Sequence, residues 1–261
     1  MNDTVPDGRA AIVAESQSRV DADAKPATGP LAKTRRRVLG RHLPSRMQWA
    51  VLSWALSLAI LAGGAWAVCP DGQCALTDFD RIGLSLAHDL RSDVLDRLME
   101  GVTWLGSLVL LLPLTGLAAW VLFRGGRRRV AGFIVLALLG SSALSHLVKL
   151  WVTRPRPDLF PAWSTMPEDW SYPSAHAMQA TAAALALGLV VARRRSPWAL
   201  AVVLTAAVLL VGLSRIYLQV HFPSDVLAGA LAAVFWVLGL YALMLQRKMA
   251  GDVVKERGAA A

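Results

Sequence analysis

Apolar and polar positions alternate along this chain on the scale of whole segments. Runs with little or no charge occupy residues 49–68, 101–123, 130–151, 177–192, 198–214 and 226–245, separated by polar stretches. A helix needs about 20 apolar residues to cross a hydrocarbon layer about 30 Å thick, and each run approaches or meets that length. The pattern predicts an all-α membrane protein, a six-transmembrane-helix bundle with residues 47–246 as its one domain. The fourth run is the shortest and reaches full length only if Ser174 and His176 stand in the first turn of its helix.

Between the first two runs the period changes. Phe79, Ile82, Leu86, Leu90, Val94 and Leu98 recur every three or four residues, with Asp80, Asp89, Asp93, Asp96 and Arg97 between them. This spacing predicts one extracytoplasmic amphipathic helix, lying along the membrane surface or capping the bundle, with His88 on its polar face. Residues 1–46 keep no hydrophobic period and are expected to form a disordered, basic cytoplasmic tail near anionic headgroups. Residues 247–261 form a second, short tail. The first tail is too long and polar for the start of a signal peptide, so the first run is read as a retained anchor.

Composition supports the membrane reading: 55% of residues are hydrophobic, 17% are charged, and the mean hydropathy is +0.47. The net charge of +9 raises nucleic acid as a partner, but its distribution argues against that. Of the 27 lysines and arginines, 20 fall in the N-terminal tail, the 124–129 loop, residues 193–195 and the C-terminal tail. With six spans these segments share one side, and the positive-inside rule makes it cytoplasmic. Both termini are then inside, as expected for a multi-pass protein of the cytoplasmic (inner) membrane. The 71–100 loop, with seven acids against three arginines, lies outside.

The two cysteines, Cys69 and Cys74, stand in "CPDGQC" just beyond the first run. Pro70, Asp71 and Gly72 favour a tight turn there. The pair is open between a local disulfide, which suits an oxidising exterior, and two free thiols. Two ligands without a nearby histidine fall short of a structural zinc site.

Candidate chemistry gathers at the ends of the runs. Lys149 ends the third and is followed by "WVTRPRP", with Arg154 and Arg156; His176 opens the fourth; Arg215 closes the fifth; His221 and Asp225 flank the start of the sixth. With the termini inside, the third and fifth runs point outward and the fourth and sixth inward. All these positions therefore meet at the extracytoplasmic end. Taken singly, Lys149 or Arg215 reads as a snorkelling cation, His176 as a satisfied polar residue and Asp225 as a helix-start acid. Their concentration is harder to explain that way, because a charge near hydrocarbon costs about 2.5–3.5 kcal/mol even on lenient scales.

Together, Lys149, Arg156 and Arg215 make a cationic clamp whose guanidinium forks suit phosphoryl oxygens. Ser174 offers a hydroxyl and a helix start for an anion. Two histidines supply a nucleophile and an acid–base partner, and Asp225, four residues after His221, can fix its tautomer. No carboxylate cluster offers magnesium its ligands, so cationic side chains carry the neutralisation and no metal or cofactor is required.

The segments "KLWVTRPRP" (Lys149, six residues, Arg156-Pro157), "PSAH" (Pro173 to His176) and "SRIYLQVHFPSD" (Arg215, five residues, His221, three residues, Asp225) resemble the three motifs of the type 2 phosphatidic acid phosphatase superfamily of membrane lipid phosphatases. The resemblance covers roughly residues 49–245. It implies His221 as a nucleophile that becomes a phosphohistidine, Asp225 as the residue orienting it, and His176 as acid and then base. Lys149, Arg156, Ser174 and Arg215 would hold the phosphoryl oxygens, without a metal. Ala175 stands where the family commonly has Gly, so the backbone there must work in an ordinary helical conformation. Arg154 matches no required position and stays outside the catalytic set.

Three functions follow. The leading one is hydrolysis of a lipid phosphate monoester or diphosphate, such as phosphatidate, phosphatidylglycerophosphate or undecaprenyl diphosphate, at the outer face of the bilayer. The second is a phosphotransferase sharing the same intermediate. The third is a non-catalytic pocket for anions or lipid headgroups, which would need the cations but not the paired histidines.

Overall fold

The computed structural model describes residues 45–161, 166–191 and 198–245. Among the described residues there are eight α-helices and no strand: α1 Arg46–Val68, α2 Asp78–Asp89, α3 Asp93–Thr103, α4 Leu108–Arg124, α5 Arg128–Val152, α6 Ala175–Val191, α7 Trp198–Tyr217 and α8 Pro223–Met244. Single 3-10 turns occupy Pro70–Gly72 and Trp104–Gly106. The expectations for residues 1–44 and 246–261 lie outside the described residues.

Local chemistry sets the helix ends. Ser45 caps α1 reciprocally with Gln48: the Gln48 N–H donates to Ser45 Oγ, and the Ser45 N–H donates to Gln48 Oε1. The first helix thus begins slightly before residue 47. At the far end of α5, Thr153 adopts a left-handed conformation, φ 49°, that stops the helix. Pro223 opens α8, where its fixed φ and missing N–H suit the first turn.

Helices α1, α5, α7 and α8 are each long and apolar enough to cross a membrane. The segments Asp93–Gly106 and Leu108–Arg124 form one further candidate span, bent by 41°. The second apolar run therefore does not form one straight helix. Ser107 interrupts it, its extended backbone and side chain capping α4 by accepting from the Val109 N–H. Helix α6 is apolar but only 17 residues long, with His176 in its first turn and Ser174 immediately before it.

The helices pack through small residues. Ser57 Oγ on α1 donates to the Ala232 carbonyl at 2.8 Å, and the core gathers Leu61, Phe133, Met178, Ala182, Ala232 and Val237. Such close contacts, rather than large interlocking side chains, hold helices together where lipid replaces water. The outer surface is apolar: Trp66, Val109 and Trp198 are 73, 71 and 70% exposed. A bilayer accommodates this surface and water does not, so the bundle has the construction of an integral membrane protein.

The amphipathic segment departs from expectation in its continuity. It forms two helices, because Ser92 turns extended and its Oγ accepts the Leu95 N–H to start α3 afresh. Its apolar stripe, Phe79 through Leu98, faces away from the bundle, while Asp80, Leu84 and Asp96 are buried against it. His88 stacks on Phe160, with ring centroids 4.1 Å apart. Cys69 and Cys74 are joined by a disulfide that closes the turn between α1 and α2.

Candidate active site

Four helix ends bring the ionisable residues to one place. Lys149 lies in the last turn of α5, His176 in the first turn of α6, Arg215 in the last turn of α7, and His221 just before α8. Together with Arg156, Gln179, Ala175, Ser107 and Asp169 they line a cavity of about 230 Å³. Lys149, Arg215 and His221 are almost wholly buried, so their heads face this space rather than solvent.

The backbone between α7 and α8 delivers His221. Gln219, at φ 58°, reverses the chain, and the N–H groups of Val220 and His221 both donate to the Arg215 carbonyl. A non-glycine residue adopts that conformation only when its surroundings hold it, and the Gln219 side chain is anchored by donating to the Leu84 carbonyl at 3.0 Å. Arg215 and His221 are thereby fixed relative to each other. Arg215 Nη1 also donates to Thr103 Oγ1 at 2.7 Å, tying it to α3.

The two ring nitrogens of His221 face different neighbours. Nδ1 lies 3.5 Å from Asp225 Oδ2 and 3.4 Å from Ser171 Oγ, whereas Nε2 lies 3.2 Å from Arg156 Nη1 on the cavity side. A proton on Nδ1 satisfies the carboxylate and leaves Nε2 unprotonated, its lone pair turned to Arg156 and the cavity. Burial, reinforced by the positive charges of Arg156, Arg215 and Lys149, holds this imidazole well below its ordinary value of 6.5. This favours the neutral form of the ring at pH 7.

Asp225 lines no part of the cavity; it stands behind His221. Its Oδ2 accepts from Ser171 Oγ and from the Phe222 N–H at 3.1 Å, while Oδ1 accepts from Arg154 Nη1 at 2.6 Å. Arg154 in turn donates to Asp80 Oδ2 at 2.8 Å and to Ser224 Oγ at 2.9 Å, and its guanidinium lies 3.8 Å from the centre of the Phe222 ring. All three charged members of this chain are at most 1% exposed. Arg154, set aside on motif spacing, is thus the cation nearest the Asp225 carboxylate and ties it to α2.

Ser174 is placed differently from the clamp cations. Its N–H donates to the Asp225 carbonyl at 3.1 Å, and its hydroxyl is buried without a partner, outside the cavity lining. Gly229 permits this approach of α8, since a Cβ there would come within 2.8 Å of the Ser174 carbonyl oxygen. Ala175 begins α6 and lines the cavity with an ordinary helical backbone.

The clamp also holds an anion of its own. Asp169 Oδ2 lies 3.1 Å from Lys149 Nζ, and its Oδ1 accepts from Arg156 Nη2. Burial alone would raise the Asp169 carboxyl, but Lys149 and Arg156 outweigh it and hold the group below its ordinary value. Ser171 and Asp169 both lie in the Pro- and Trp-rich segment before α6, where no sequence period marks them. Among the described residues, no group of three or more His, Cys, Asp or Glu is arranged to hold a metal ion.

Comparison with known proteins places this architecture. Residues 130–249 match the PAP2 superfamily. The chain is 33% identical over 146 residues to phosphatidylglycerophosphatase B of Bacillus subtilis, covering 54% of this chain and 70% of that protein. It is 39% identical over 121 residues to decaprenylphosphoryl-5-phosphoribose phosphatase of Mycobacterium tuberculosis, covering 38% of this chain and 63% of the relative. In fold it is similar to the crystal structure of a transmembrane PAP2-type phosphatidylglycerolphosphate phosphatase from Bacillus subtilis, with a TM-score of 0.63 at 24% identity over 77% of this chain and 96% of the other. On the strength of the long match to the Bacillus relative, with Lys149, Arg156, His176, Arg215 and His221 lining one cavity and Asp225 behind His221, the chain belongs to the PAP2 superfamily.

Proposed function

We propose that this protein is a membrane phosphatase that hydrolyses a phosphate monoester or diphosphate at the end of a lipid, through a phosphohistidine on His221. One observation carries the reading: the Nε2 face of His221 opens on a cavity walled by Lys149, Arg156, Arg215 and His176, while its Nδ1 face is turned to Asp225. The named activities of the relatives, both lipid phosphatases, support the substrate class. Phosphatidylglycerophosphate, phosphatidate and undecaprenyl diphosphate are the substrates to test first.

In this reading the cations hold the phosphoryl oxygens and neutralise charge that develops as the group transfers. His221 Nε2 forms a bond to phosphorus as the bond from phosphorus to the lipid oxygen breaks, and His176, protonated once the phosphate dianion stands beside it, gives that oxygen a proton. Nδ1–H faces Asp225, so the positive charge arriving on the ring is met by a carboxylate. Water then attacks the phosphohistidine, giving its proton to His176, and the P–N bond breaks to release phosphate. The residues that carry both steps are side chains of this chain, and a metal has no assigned part.

The placement in the cell belongs to the same proposal. The bundle crosses the membrane six times, through α1, α4 with the turn before it, α5, α6, α7 and α8, with both tails (1–46 and 247–261) cytoplasmic and the cavity opening outside. The outward apolar stripe of α2 and α3 then rests in the bilayer surface.

The test is phosphate release by purified protein from a panel of glycerophospholipid phosphates and prenyl diphosphates, with vanadate as inhibitor and chelator as a metal control. Release that survives chelator and is lost in His221→Ala supports the reading. No release from any member, or a His221→Ala variant equal to wild type, refutes it, and release abolished by chelator refutes the metal-free chemistry. Phosphate recovered on an acceptor other than water would instead assign the phosphotransferase.

A further inference from the structure

The segment leading into α6 carries a carboxylate into the cationic cavity. Asp169 engages both Lys149 and Arg156 through its two oxygens, and its backbone carbonyl accepts from Arg156 Nε at 2.8 Å. The neighbouring Trp170 carbonyl accepts from Lys149 Nζ. The Asp169 side chain is about half exposed, so it reaches in from the mouth of the cavity rather than forming its floor. Two of the three clamp cations are therefore already paired. Arg215, the third, keeps a buried Nε without a partner.

A carboxylate presents two oxygens to a guanidinium in the same fork that a phosphoryl group uses. Resting on the phosphatase reading above, we propose that Asp169 is a specificity-determining residue: its carboxylate occupies the place of two phosphoryl oxygens and yields it to a phosphate dianion but not to the singly charged phosphodiester of an ordinary phospholipid. The distinction is one of charge and oxygen count. Exchanging the carboxylate for a phosphodiester replaces one negative charge by another and two oxygens by two, so nothing is gained. A monoester or terminal diphosphate brings close to two charges and a third free oxygen, which reaches Arg215 as well.

Tethering strengthens the effect, because an attached carboxylate competes at an effective concentration in the millimolar range or above. A membrane surface is crowded with phosphodiesters. A bare cluster of Lys149, Arg156 and Arg215 facing it would be filled by them.

The experiment compares full-length wild type, Asp169→Asn and Asp169→Glu in detergent micelles at pH 8. Inorganic phosphate binding is measured by calorimetry. Inhibition of phosphatidate hydrolysis is measured against added phosphatidylglycerol, a diester. Asp169→Asn is expected to bind phosphate roughly tenfold more tightly, the order set by one charge-assisted contact that no longer has to be broken. Phosphatidylglycerol, a weak inhibitor of wild type, should inhibit this variant at a roughly tenfold lower mole fraction, and Asp169→Glu should stay near wild type. Phosphate affinity and diester inhibition within twofold of wild type, or weaker phosphate binding by Asp169→Asn, overturn the proposal. If no form hydrolyses phosphatidate or any other panel lipid, the phosphatase reading fails, while calorimetry with inorganic phosphate and with phosphatidylglycerol still decides the role of Asp169.

Discussion

Arg154 Nη1 donates to Asp225 Oδ1 across 2.6 Å, and neither side chain is more than 1% exposed. The pair matters because the other Asp225 oxygen faces His221. Removing one partner of a buried ion pair leaves an uncompensated charge, which costs about 3–5 kcal/mol. Arg154→Met should therefore lower the unfolding midpoint in detergent and reduce kcat by about a hundredfold or more, whereas Arg154→Lys should recover part of both. A stable Arg154→Met variant with wild-type kcat would show that the carboxylate does not depend on this cation.

Ser171 makes a finer prediction. Its hydroxyl donates to Asp225 Oδ2 and lies 3.4 Å from His221 Nδ1, so it fixes how the carboxylate meets the ring. Ser171→Ala should reduce kcat by about tenfold, the scale of one hydrogen bond to a charged group, with little change in KM. Steady-state kinetics on a soluble short-chain lipid phosphate separates the two constants. A change confined to KM would assign Ser171 to substrate binding instead.

How much of this site could be read from the chain depended on spacing. Lys149, Arg156, His176, Arg215, His221 and Asp225 stand at intervals set by helix ends, and run polarity alone sent them to one end of the bundle. Asp169 and Ser171 lie in a segment with no period, so nothing in the sequence tied them to the cations or to Asp225. Asp80 was hidden for a different reason: on an amphipathic helix an acid reads as solvated, yet this one turns inward to meet Arg154 while Phe79 and Ile82 turn out. The break at Ser92 was masked by an apolar period that runs on through it.

The pH dependence follows from His221. Protonation removes the nucleophile, and burial together with Arg156, Arg215 and Lys149 keeps that protonation well below 6.5. With the substrate's own second ionisation, near 6, divided out, kcat/KM should therefore hold as pH falls through 6.5 and decline only at lower pH. The unfolded chain takes up its proton near 6.5 while the folded one does not, so stability should also begin to fall below that pH. Arg156→Gln removes the neighbouring charge that weighs most on the ring and should move the acid limb upward, towards 6.5. A wild-type acid limb at or above 6.5 that remains after the substrate's own ionisation is divided out would contradict the assignment of a neutral, buried imidazole.

Thr103 offers a test of the clamp from outside the motifs. It accepts from Arg215 Nη1 at 2.7 Å, and Arg215 Nε is buried without a partner. Thr103→Val should loosen Arg215 and raise both KM and the inhibition constant for vanadate several-fold. Unchanged vanadate inhibition would mean that Arg215 is held by its backbone alone.

A covalent bond between phosphorus and His221 is the step on which hydrolysis depends, and that bond can be trapped. Protein carrying His176→Ala, which keeps the nucleophile but lacks the acid–base partner that activates water, is mixed with a radiolabelled lipid phosphate having a good leaving group and quenched in alkali. The expected result is an alkali-stable, acid-labile label that maps to His221 and is absent from the His176→Ala, His221→Ala double variant. Label on any other residue, or a His221→Ala single variant that turns over like wild type, would contradict it.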